Sequence, residues 1–379
     1  MSPPPGRGAL QVRFSGVVSA KPLSEIAREV CSVIAWNTYG CINRNIHVSE
    51  VIKMSDELLN EFPNDEEELK ILDNLLLNTV ESEEDEEKFL KFSFTKYPNI
   101  YHYTSPVGLK EILAHNSLWF THCKFLNDRS EKYYCFDLFK KCIEREKSNL
   151  KKTFYNTILS HIYKDGNLNY EAFYNIRNNY TDYYVASFSL NDNSLSMWNY
   201  YTKTANKTGY NICFKSKDLI DGLENRSFYY YKVNYDIEEQ TKEIMKYIHA
   251  FNNAWDDSRS EVFLKMVQYF LLDLIDIISL RFKHCAFANE EEFRIVYKVD
   301  NYNRQRIDEE KLLEFRESNG IIVPYLNIGF NKKSIGAVKI SPTQQEEIAK
   351  EGILMMLRSI GYNHLTNKDI TISDIPLRN

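Results

Sequence analysis

Apolar positions along the chain follow two periods, and the changes of period mark out the elements. Residues 65–80 place Leu69, Leu72, Leu76 and Val80 at helical spacing behind an acidic first turn, which predicts an amphipathic helix. From about residue 96 the pattern turns mixed. Residues 99–104 (NIYHYT) read as a strand, and Pro106 opens a helix with Leu109, Ile112 and Leu113 on one face. Alternation over 117–125 predicts a second strand. It closes on Asn127-Asp128, a turn and helix cap with Glu131 at the third helical position, and 131–164 should be helical. Further strands are expected at 183–190, 209–214, 229–235, 292–299, 320–325, 335–340 and 370–373, with a short helix at 194–201. Residues 238–284 form a long helical stretch with a break near Asn252-Asn253. Ser341-Pro342-Thr343-Gln344 starts a last helix, with serine as its cap, and Gly361 terminates it.

No repeat of 20–50 residues is visible, regular β-α-β alternation is absent, and no glycine-rich phosphate loop follows a strand. These absences disfavour a doubly wound nucleotide fold. The pattern predicts an α+β protein: a mostly antiparallel sheet core with flanking helices, preceded by an acidic helical extension. Residues 1–53 read as a disordered or non-native extension, with Met54 as a natural start; 54–95 as an acidic helix and linker; and 96–379 as the main domain.

Charge sharpens this division. The formal charge is −6, but residues 54–91 hold 14 acids against 3 bases, and residues 92–379 hold 36 acids against 38 bases. The main body is slightly basic, so a nucleic-acid partner is not excluded. Residues 81–87 read as a solvated acidic linker, with an arm that covers a basic cleft or docks a partner as the sharper alternative. Seven cysteines without a C-x-x-C pair argue against a disulfide framework and against structural zinc, and fit a reducing cytoplasm. Lys265, Asp273 and Asp276 interrupt the most apolar stretch, 262–280, which is read as a buried helix rather than a membrane span. Tyrosine pairs and triplets at 183–184, 200–201 and 229–231 are expected to be half-buried.

Four segments carry candidate chemistry. On the first strand His102 and Thr104 share a face, near the end where a helix begins. This position suits either a ligand cleft or a core histidine bonded to a carbonyl. The Phe125–Glu131 turn organises rather than reacts. Ser187 and Ser189 share a strand face, and on the following helix Trp198 and Tyr201 are neighbours, so serines lie beside aromatic rings. Glu290, Glu292 and Arg294 alternate with Phe293, Ile295 and Tyr297. Those charges mark either an exposed edge strand with a Glu292–Arg294 pair, or a buried strand whose charges are paired or used.

Taken in order, Tyr101-His102-Tyr103-Thr104, Phe125-Leu126-Asn127-Asp128 with Glu131, Phe188-Ser189, Met197-Trp198 with Tyr200, Gly209, Lys283 and Glu290-x-Glu292-x-Arg294 resemble the bacterial domain-of-unknown-function family 2971, over roughly 96–379. More distantly, a histidine on the first strand, a serine strand with a nearby aromatic and a late Glu-x-Glu strand are similar to the ADP-ribosyltransferase superfamily. This resemblance implies an ADP-ribosyltransferase-like fold with NAD as substrate and no metal. It puts His102 and Thr104 at the NAD ribose side, Ser187 or Ser189 at the nicotinamide pocket, and Trp198 or Tyr200 stacked on nicotinamide. Glu292 becomes the catalytic carboxylate, Glu290 orients the acceptor, and Arg294 clamps a phosphate or holds Glu292. The implied activity is ADP-ribosylation of a nucleic acid or protein by a cytoplasmic toxin or antiviral defence effector, with a regulatory or antitoxin partner and no membrane. NAD hydrolysis, or a non-catalytic nucleotide- or peptide-binding sensor, are the alternatives.

Overall fold

The structure, a computed structural model, describes residues 65–79, 93–126, 130–164, 167–168, 182–201, 208–223, 228–299, 301–318, 320–342 and 346–376. The expectations for 1–53, for Met54, for the acidic run 81–87, for the Asn127-Asp128 turn and for the Thr343-Gln344 cap lie outside these residues.

In chain order the elements are α1 (Glu66–Thr79), β1 (Asn99–Thr104), α2 (Pro106–His115), β2 (Ser117–His122), α3 (Ser130–Arg145), α4 (Lys152–Ile162), β3 (Tyr163–Lys164) and β4 (Asn167–Leu168). There follow β5 (Asp182–Ser189), α5 (Leu195–Tyr201), β6 (Tyr210–Lys215), α6 (Ser216–Asp221), β7 (Phe228–Lys232), α7 (Ile237–Ala254) and α8 (Glu261–Ser279). Last come β8 (Glu292–Val299), α9 (Asn301–Glu309), β9 (Leu313–Ser318), β10 (Ile321–Gly329), β11 (Ile335–Ile340), α10 (Glu346–Ser359) and β12 (Ile370–Ile372). Ten strands form one open sheet; only β11 and β12 pair parallel, and the other strand pairs are antiparallel.

β5 organises the sheet. One edge pairs with β8 over its whole length, from Asp182↔Val299 to Ser189↔Glu292, and β8 passes on to β7. The other edge is shared. β2 takes its first half, at Thr121↔Val185 and His122↔Tyr184, and β1 takes its end, at Tyr101↔Ser189. β1 leads outward to β6, β11 and β12, while β2 leads to β10 and β9. Opposite residues 186–188 neither strand pairs, so the sheet forks there.

Helices cover both faces. On one, α2, α6 and α10 bury Leu109, Leu113, Leu219, Ile353 and Leu357 against Phe188, Phe293 and Ile295 of the sheet. Beyond the other face, α1, α3, α4, α7 and α8 enclose a second core that includes Leu72, Phe139, Phe154, Ile244 and Leu271. Local chemistry fixes the helix starts: Ser105, Asp236 and Ser260 each cap a helix by accepting from backbone N–H groups of its first turn. Gly361, at φ 84°, takes the left-handed conformation that follows the end of α10. No helix among the described residues is long and apolar enough to cross a membrane.

Several boundaries differ from expectation. The strand at 117–125 stops at His122, because the His122 ring accepts from Lys124 N–H and turns Cys123–Phe125 into a 3-10 helix. The helical run 131–164 splits at 146–151. The long helix breaks at 255–260, where Trp255 ends α7 and Ser260 caps α8. β9 and α9 were not expected. β8 is no edge strand: all eight of its residues are buried between β5 and β7.

Candidate functional site

The fork in the sheet opens into a cavity of about 460 Å³, lined from β1, α2, β2, β5, α5, β9, the start of β8 and the turn before it. That is within the usual size of a small-molecule site, roughly 300–1,000 Å³. Of the nine expected site residues, His102, Thr104, Ser187, Glu290 and Glu292 line it; Ser189, Trp198, Tyr200 and Arg294 do not.

His102 closes the fork. Its Nδ1 donates to the carbonyl of Ser187, 3.0 Å away, in the stretch of β5 that neither β1 nor β2 pairs. With Nδ1 donating, the other ring nitrogen is left to accept. Burial pushes the imidazole below its ordinary value, against the opposing effect of the Ser187 bond, so the ring favours its neutral form. Phe188 buttresses it edge-on at 5.6 Å. Thr104 sits over the first turn of α2, and a Cβ built at Gly108 would meet its Oγ1 at 2.0 Å, so a larger residue there would turn the Thr104 hydroxyl out of its place.

Across the cavity Glu292 begins β8. Its carboxylate accepts from Arg294 Nε at 2.8 Å and Nη2 at 2.9 Å, from Lys283 Nζ at 3.2 Å and from the Ser187 hydroxyl. Burial pushes the carboxyl up, but the charges of Arg294 and Lys283, with the Arg294 and Ser187 hydrogen bonds, outweigh it and hold the group well below the usual range. Lys283 also donates to Glu290 at 2.6 Å. Two carboxylates therefore face two cations, all four side chains buried. Glu290 shares this face for a reason other than strand alternation. It ends a 3-10 turn, and Glu291, at φ 44°, reverses the chain before β8 starts.

Ser189 pins that reversal. Its hydroxyl donates to the Glu290 carbonyl at 2.7 Å, and Leu190 N–H donates to the Glu291 carbonyl at 2.8 Å. Arg294 lies behind Glu292 and donates Nη1 to the Leu280 carbonyl, so of its two expected roles the structure shows the one of holding Glu292. Residues 197–295 match the family model "Protein of unknown function (DUF2971)". That segment carries Lys283, Glu290, Glu292 and Arg294, whereas His102, Thr104 and Ser187 lie outside it. No curated protein and no solved structure matches the chain.

The aromatic wall differs most from expectation. Trp198 is buried edge-on against Tyr103, at 4.7 Å between ring centroids, and its indole N–H donates to Asn193. Tyr200 points outward, 56% exposed. Tyr101, Tyr103, Trp119, Phe188 and Tyr201 supply the aromatic rings that do line the cavity beside His102. Tyr201 was legible as the helical neighbour of Trp198, but helix phase alone does not say which of two neighbouring rings is buried. Lys283 and Arg316 carried no expected role; Arg316 belongs to a strand, LEFRES, whose polar alternation Glu314, Arg316, Ser318 was its one signal.

Proposed function

We propose that the cavity binds NAD and that the protein is an ADP-ribosyltransferase-like enzyme transferring ADP-ribose to a macromolecular acceptor, a nucleic acid or protein. The observation that supports this reading is the presence of His102 and Glu292 on one cavity at the fork of the sheet, with Ser187 bonded to both. The neutral His102 ring accepts a hydrogen bond from a ribose hydroxyl, and Glu292 stands beside the nicotinamide ribose. The bond from ribose C1′ to the nicotinamide nitrogen breaks, and its electron pair neutralises the pyridinium. Positive charge develops at C1′, where a fixed carboxylate stabilises it without reorganisation. The acceptor attacks C1′ and passes its proton to Glu290. The ring that covers nicotinamide is reassigned from Trp198 or Tyr200 to Tyr101 or Tyr201, which line the cavity.

The test is nicotinamide release from NAD by the full chain and by Glu292→Gln. Release that the substitution lowers about 10²–10³-fold is the expected result. If the wild type neither binds NAD nor releases nicotinamide, the reading fails. Release without a labelled acceptor indicates hydrolysis. One observation favours a second reading: Glu290 and Glu292 are balanced by Lys283 and Arg294, leaving no net negative charge to stabilise a cation. A non-catalytic nucleotide-binding module fits that balance, and it predicts NAD binding without nicotinamide release.

A further inference from the structure

The far wall of the same cavity holds a cation that the reading above does not use. Arg316, on β9, lies over Trp119 of β2, its guanidinium 5.1 Å from the ring centroid and 5.9 Å from that of Tyr325. Nη2 donates to Thr121 Oγ1 at 3.1 Å. Nε is buried with no hydrogen-bond partner among the described residues. The carboxylate two positions away, Glu314, is taken by Tyr325 Oη at 2.5 Å and Asn327 Nδ2 at 2.9 Å. No carboxylate pairs with Arg316 among the described residues, in contrast to Arg294. Burial pushes its pKa down, offset only by Tyr325.

A half-buried guanidinium without a counter-ion is costly to hold unless something else completes it. Trp119 and the Thr121 hydroxyl hold the guanidinium from one side, and the side chain lines the cavity together with Ser318. A planar fork with donors to spare matches the oxygens of a phosphate ester in charge and in geometry. Arg294 is fully occupied by Glu292 and Leu280 and does not line the cavity, so the phosphate-clamping role expected of it is vacant.

We infer that Arg316, assisted by Ser318, is the phosphate subsite of the cavity, which therefore takes a phosphate- or pyrophosphate-bearing nucleotide. This rests on the reading of the cavity as a nucleotide site, and it holds whether or not a bond is broken there.

Calorimetric titration of the full chain with ADP and with adenosine tests it, on wild type, Arg316→Ala and Arg316→Lys. The wild type is expected to bind ADP more tightly than adenosine. Arg316→Ala is expected to weaken ADP binding about tenfold or more, equivalent to ~1.4 kcal/mol, and to leave adenosine unmoved. Arg316→Lys keeps the charge without the fork and falls between, which preserves the test if the alanine variant does not fold. An ADP affinity equal to that for adenosine in the wild type, or one unchanged in both variants, overturns the subsite. Nicotinamide release by Arg316→Ala with an unaltered KM for NAD would also overturn it, while leaving the transfer reading intact. Arg316-dependent ADP binding in a protein that releases no nicotinamide keeps the subsite and removes the transfer reading.

Discussion

Glu292 and Arg294 form a two-pronged ion pair within one strand, Nε to Oε1 at 2.8 Å and Nη2 to Oε2 at 2.9 Å, on the face of β8 opposite Phe293. The pairing has a direction. Arg294 is anchored behind by the Leu280 carbonyl, so the carboxylate is the part presented to the cavity.

Glu292→Gln keeps the shape and removes the charge. If the carboxylate stabilises a developing cation, nicotinamide release falls about 10²–10³-fold, the range for losing one preorganised electrostatic contact. Arg294→Met leaves Glu292 buried with only Lys283 as a charged partner. It is expected to lower the unfolding free energy by ~3–5 kcal/mol, as for one partner removed from a buried pair. Urea unfolding of both variants beside the activity assay separates the roles. An Arg294→Met protein as stable as wild type would contradict the anchoring role.

His102 predicts a pH dependence of binding. The ring accepts from a ligand only while it is neutral, and burial holds its pKa below the ordinary 6.5. NAD or ADP-ribose affinity is therefore flat above about pH 6.5 and declines as pH falls through the lowered value. His102→Gln donates to the Ser187 carbonyl through its amide but does not titrate. It should bind about tenfold more weakly, the scale of one neutral hydrogen bond, with the pH dependence gone. A pH dependence that survives in His102→Gln would exclude this histidine as its source.

Asp182 makes a separate prediction for stability. At the start of β5 it accepts from His122 Nε2 at 3.1 Å and from Arg304 Nη2 at 3.2 Å, and the His122 bond is the main reason its pKa falls from 3.8 to about 2. A depressed folded-state pKa stabilises the native state above the unfolded value. That contribution disappears as pH falls from about 4 towards 2. Urea midpoints of wild type should therefore drop more steeply over this window than those of Asp182→Asn. Parallel curves would mean that the triad contributes nothing there.

The sheet was largely legible because its strands are short runs rich in β-branched and aromatic residues: β1, β8 and β11 lie at the predicted residues. β9 was not, because Leu313, Phe315 and Glu317 face solvent on an edge, so its alternation does not separate an apolar from a polar side. The fork itself has no sequence signal. It arises because β1 and β2 share one edge of β5, a long-range pairing that brings His102 and Ser187 together across 85 residues. The Glu290-x-Glu292 spacing implied one shared face, and both residues do line the cavity, but not through alternation. Strand alternation does not extend to Glu290; the left-handed Glu291 does the turning. Burial of Trp198 depended on Tyr103, whose hydroxyl accepts from Ser194 N–H and donates to the Asn191 carbonyl. No local pattern reveals that contact.

The acidic prefix yields the last prediction. The described part of it, α1, is the expected amphipathic helix, and its apolar face is packed: Leu69, Leu72 and Leu75 are buried, with Leu72 and Leu75 in the helical core that includes α7 and α8. Glu67 pairs with Arg259, and the Glu68 carboxylate accepts from the backbone N–H and hydroxyl of Ser260, each at 2.6 Å. Ser260 is the cap of α8, so an anion from α1 sits at that helix's positive end. Leu72→Ala should therefore cost ~2–5 kcal/mol of unfolding free energy, as for a leucine removed from a packed core. Glu68→Ala should cost ~1.5–3 kcal/mol, the scale of hydrogen bonds to a charged group. Removing residues 1–79 should expose the α7–α8 face, raise binding of a hydrophobic dye and lower the melting temperature. A truncated chain with an unchanged melting temperature would mean that α1 adds nothing to the core.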